Sequence, residues 1–122
     1  MAYEIPGKTI SLTAGADLSA KQYYFVSVDS AEKAQLTVDN GNAIGVLQNK
    51  PTLGQSADIM IDGVSKFVGG GALPAGTVIG SNAFGKAKTA VAATYTAGTV
   101  IKDPGADGQI GTMVIQHGGK EA

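Results

Sequence analysis

The sequence predicts an all-β domain, and three observations carry that reading. The 18 glycines among 122 residues fall between apolar runs. Those runs are short and rich in Val, Ile, Thr and Tyr, the residues that suit a pleated surface. Residues 56–68 hold two alternating runs around Asp62-Gly63, a pair that tight β-hairpin turns favour. A chain of this length is one domain by prior and buries roughly two-thirds of its unfolded surface, enough for a core.

Residues 1–7 read as an extended arm, because Pro6-Gly7 interrupts regular structure and Tyr3 and Ile5 stand ahead of the fold. Residues 8–12 alternate and form a first strand. Residues 13–22 are a loop in which Asp17 is placed to cap one helical turn. Strands follow at 23–28, 34–38 and 43–48, separated by turns at 29–33 and 39–42. Asn49-Lys50-Pro51 ends the third of these.

In the expected hairpin, Ile61 faces Val64, Ile59 faces Lys66 and Ala57 faces Val68, giving a core face. The other face pairs Met60 with Ser65 and Asp58 with Phe67. A solvated face has no need of Met60 and Phe67. Cover by a further strand layer or by a neighbouring subunit would explain them, as would ordinary surface exposure of apolar groups. Met60 and Phe67 are therefore the subunit-interface candidates.

Gly69-Gly70-Gly71 reads as a flexible exit from the hairpin. Residues 75–79, Ala-Gly-Thr-Val-Ile, recur at 97–101. Two copies are too few for a solenoid and read as two equivalent edges of a small barrel or clip. Residues 81–85 turn the chain into 86–90. Residues 103–108 form a Pro/Gly loop, and 110–116 form a closing strand. The division is an arm at 1–7, a single β domain at 8–116 and a flexible tail at 117–122. Lys66, Lys86 and Lys88 stand where edge strands are often blunted against aggregation.

Reactive chemistry is sparse. The net charge is −1, and every cation is lysine. Without arginine the usual bidentate reader of guanine is missing, which argues against a nucleic-acid partner. Without cysteine there is no disulfide frame, thiolate nucleophile or thiolate metal site. Residues 1–7 lack the charge and apolar run of a signal peptide, and no stretch is long enough to span a bilayer.

His117 is the single histidine, and without a second ligand type it reads as an exposed tail residue. Asp103 and Asp107 do not match calcium-loop spacing. Asp58 and Asp62 have even spacing and can share a face, with a solvated strand end as the plainer reading. Gly69-Gly70-Gly71 lacks the Gly-Lys-Ser/Thr of a phosphate cradle. Tyr23, Tyr24 and Phe25 alternate faces and suit core packing better than base stacking. No catalytic residue, metal or cofactor is expected.

Residues 43–51, AIGVLQNKP, followed by G-x-x-A-x-I-M-I-x-G-V-x-K-x-V, resemble the capsid decoration or cement proteins of tailed bacteriophages. The likeness continues through Gly71-Ala72-Leu73-Pro74-Ala75-Gly76-Thr77-Val78 to Gly85-Lys86-Ala87, and residues 3–23 share it. From Val91 onward the chain departs from that pattern. The resemblance implies a small β-barrel or β-tulip-like domain with short hairpins and an extended N-terminal arm. It implies no enzymatic activity. It also implies binding to the major capsid protein on the outer surface of the virion, often as a homotrimer at three-fold positions. By position, Ala2, Tyr3, Glu4, Ile5, Pro6 and Gly7 match the arm that lies on the capsid. The residues alone leave a small-ligand or glycan-binding β domain of a tail or adhesin as the alternative.

Overall fold

The structure is a computed structural model and describes residues 4–91 and 94–118. Among the described residues there is no helix. The described residues form eleven strands in two antiparallel sheets. In sequence they are β1 (Ile5–Pro6), β2 (Thr9–Thr13), β3 (Phe25–Val28), β4 (Ala34–Leu36), β5 (Gly45–Leu47) and β6 (Ser56–Met60). They continue as β7 (Gly63–Val68), β8 (Val78–Ser81), β9 (Ala87–Thr89), β10 (Thr96–Lys102) and β11 (Ile110–Gly118). One sheet has the order β1-β7-β11-β10-β8-β9, the other β2-β6-β5-β3-β4. The all-β expectation holds, but neither sheet closes into a barrel. A parallel bridge, Ala14 to Ala34, brings opposite edges of the five-stranded sheet together at one corner.

The expected hairpin of residues 57–68 does not form. β6 pairs with β2 and β5, whereas β7 pairs with β1 and β11 in the other sheet. Ile61 and Asp62 carry the chain from one layer to the next. The Ile61 N–H donates to the Lys8 carbonyl at 2.9 Å, and the Gly63 N–H donates to Asp62 Oδ1 at 3.0 Å. Gly63 has φ +106°, a conformation that glycine adopts without the steric penalty of a Cβ. Asp62-Gly63 thus turns the chain, but between layers rather than between partners.

Residue alternation builds the core. In the five-stranded sheet Phe25, Val46 and Met60 point to the other layer, where Phe67, Ile79, Val100, Met113 and Ile115 meet them. The next residues along, Val26 and Leu47, and Ile59 before Met60, point the opposite way. That second face is capped by Ala14 and Leu18 from the loop after β2. Leu18 is held there by its N–H donating to the Pro51 carbonyl at 2.9 Å. Each such fully buried side chain contributes about 1.5–3 kcal/mol. Met60 and Phe67 are 3% and 0% exposed within the single chain. The chain's own layers cover them, so they are core residues and not a subunit contact.

Polar groups also cross between the layers. Gln48 Nε2 donates to the buried Ser65 Oγ at 3.0 Å. Tyr23, at φ +71°, donates its N–H to the Leu47 carbonyl at 2.7 Å and accepts from the Val68 N–H at 3.0 Å. This left-handed residue ties both sheets together and explains why β3 starts at Phe25, two residues later than expected.

Other local expectations change. Asp17 caps no helix; its carboxylate accepts from the Ser19 N–H in a turn. The glycine run is tied down: the Gly70 N–H donates to the Ala87 carbonyl at 2.8 Å, and a Cβ on Gly69 would meet the Pro104 ring at 2.5 Å. The echoed segments are neighbours in one sheet, with Ile79 opposite Gly98 and Val78 opposite Thr99. They are not equivalent, because Ile79 and Val100 are buried while Val78 and Ile101 are 48% and 38% exposed. A one-residue shift in phase sends the same letters to opposite faces.

Candidate functional site

Among the described residues, no group of three or more His, Cys, Asp or Glu could hold a metal ion. Asp58 accepts from the Ser11 hydroxyl at 2.9 Å, while Asp62 lies beyond the end of β6, so the two do not share a strand face. Asp103 accepts from the Leu73 and Gly105 N–H groups and clips its own loop. Asp107 instead pairs with Lys86 at 3.1 Å. That ion pair holds the Lys86 ammonium above its ordinary value. Lys88, on the edge strand β9, pairs with Asp39 at 2.7 Å. Lys66 lies on β7, an inner strand, with its ammonium 5.7 Å from the Tyr23 ring centre. The chemistry of these residues is that of loop clips and edge charges.

Of the arm candidates, Ala2 and Tyr3 lie outside the described residues. Ile5 and Pro6 are not free of the fold: they form β1, with Ile5 opposite Val64 and Pro6 opposite Gly63. Proline lacks a backbone donor and is tolerated on such an edge strand. Gly7 passes so close to Asp62 and Gly63 that no side chain fits there. The Ile5 side chain remains 60% exposed. The expected arm therefore reaches the fold as an edge strand, with an apolar group facing outward.

A second feature was not foreseen. A shallow groove of about 590 Å³ opens where the two layers part, lined by Ile10, Val28, Ile44, Ile61, Tyr95 and His117. His117 and Gly118 belong to β11, while the rest of the expected tail, 119–122, lies outside the described residues; the His117 Nε2 lies 3.2 Å from the Ile61 carbonyl oxygen. The signal was present in the sequence: no glycine or proline stands between Gly111 and Gly118, so nothing breaks the closing strand before His117.

The fold is that of a small two-layer β domain that presents strand edges, sheet faces and a groove. No protein-family model matches the chain, and no curated protein does. Among solved structures, the N base of head fiber gp8.5 in bacteriophage phi29 superposes with a TM-score of 0.71. The match covers 89% of this chain and 93% of that one at 15% sequence identity. At that identity the likeness is one of fold.

Proposed function

We propose that this chain is a structural protein of a phage head, without enzymatic activity. In this reading it decorates the exterior of the assembled shell and stabilises it by binding the major capsid protein, as a homotrimer at three-fold positions. The observation that carries the reading is the fold match to a phage head fiber base over nearly the whole of both chains. The resemblance of residues 3–23, 43–78 and 85–87 to cement proteins supports it independently. Ala2, Tyr3, Glu4, Ile5, Pro6 and Gly7 are the proposed capsid contacts, with the exposed Ile5 side chain as the anchor.

A protein that binds only the assembled shell stabilises it by mass action, by about 2.7 kcal/mol at roughly a hundredfold above its dissociation constant. A trimer adds avidity without new contacts. Purified protein mixed with expanded, undecorated heads is expected to bind stoichiometrically and to raise their heat resistance. Absence of binding to heads of its own phage overturns the reading. Deleting residues 2–7 is expected to weaken head binding while the domain still folds; unchanged affinity removes the arm's role.

The groove beside His117 favours a second reading, a small-ligand or glycan-binding domain of a tail or adhesin. Saturable binding of a sugar or metabolite by the isolated protein, without head binding, would select it.

A further inference from the structure

Charge is segregated between the two sheets. The strands of the six-stranded sheet carry Lys66, Lys88 and Lys102 and no carboxylate, whereas those of the five-stranded sheet carry Asp58 and no cation. Directly opposed residues of neighbouring strands share a face. On the face of the six-stranded sheet turned away from Phe67, Met113 and Ile79, the register places Ile5, Val64, Val114, Thr99 and Val78 side by side. This row crosses five of the six strands. Its ends are open, with Ile5 60% and Val78 48% exposed. The adjacent row on the same face is Lys66, Thr112 and Lys102. Neither Lys66 nor Lys102 has an ion-pair partner among the described residues.

An uncharged β-branched row beside two unpaired lysines, on strands that carry no acid, selects its partner by charge complementarity. We propose that this outer face is a docking surface for a protein that presents an apolar ridge flanked by Asp or Glu. A second copy laid on the same face would set lysine against lysine. Nucleic acid would leave the apolar row uncovered. The inference rests on the reading above, and makes that partner surface part of the assembled head.

The test uses the full chain and undecorated heads. Val78→Glu and Lys102→Glu change exposed positions, so folding is checked by thermal melting and is expected to be retained. Each is expected to weaken head binding by about tenfold or more, whereas Leu53→Glu, on an exposed loop outside this sheet, leaves it unchanged. Raised salt is expected to weaken binding of the parent protein more than that of Lys102→Glu. If the parent binds heads and both variants bind within about twofold of it, the docking face is overturned while the head-binding role stands. If the parent binds duplex DNA and not heads, both fall.

Discussion

Gly7 and Gly63 meet backbone to backbone. A methyl group on Gly63 would stand 2.6 Å from the Gly7 amide nitrogen and 2.9 Å from the Ile5 carbonyl oxygen. The two glycines let the N-terminal strand seat against the start of β7, and they join the candidate arm to the folded domain.

Gly63→Ala is expected to cost about 1–3 kcal/mol, from strain at a positive φ and from the clash with Gly7. Urea denaturation measures the loss, and faster amide exchange at Ile5 and Gly7 would show that β1 has been released. Gly71→Ala, where an added Cβ meets nothing within 4 Å, is the control and is expected to stay within about 0.5 kcal/mol.

Phe67→Ala is expected to destabilise the domain by about 3–5 kcal/mol, and Met60→Leu by less than about 1.5 kcal/mol. Both costs are expected to be independent of protein concentration, because the chain covers these side chains by itself. A cost that varied with dilution would return them to a subunit contact.

Leu18→Ala is expected to cost about 2–5 kcal/mol, although it lies in a loop, because its side chain caps the second core and is 2% exposed. Leu53, 67% exposed, is the matched control; Leu53→Ala is expected to change the unfolding midpoint little.

The pH response has two limbs. The Ser19 hydroxyl and N–H both donate to Asp17 and hold its carboxyl below the usual range. Stability from this site is present above the unfolded-state value and is lost as pH falls through the lowered one. Lys86 is raised by Asp107, so its contribution is present below the ordinary lysine range and is lost as pH rises through the raised value. Melting temperatures across pH should show Asp17→Asn flattening the acid limb and Lys86→Gln the alkaline limb. Between these limbs, neither site is expected to make the melting temperature vary with pH.

Much of the local structure was legible in the sequence. Alternation in Phe25-Val26, Val46-Leu47 and Ile59-Met60 sends neighbours to opposite faces, and both faces are buried as their apolar character requires. The turn at Asp62-Gly63 was legible as a turn, but its partners were not. The groove beside His117 and the row from Ile5 to Val78 could not be seen, because each is assembled from residues far apart in the chain.

By itself, the sequence determined the strand-forming segments, the glycine turns and the absence of thiol and arginine chemistry, since these follow from side-chain type and local periodicity. Only the tertiary structure decided which strand lies beside which, and therefore that Met60 and Phe67 belong to an internal core. Period-two alternation specifies two faces for every strand but names no neighbour. The neighbour is chosen by burial, and Phe67 shares one core with Phe25 and Val46 of the other layer and with Met113 of its own sheet.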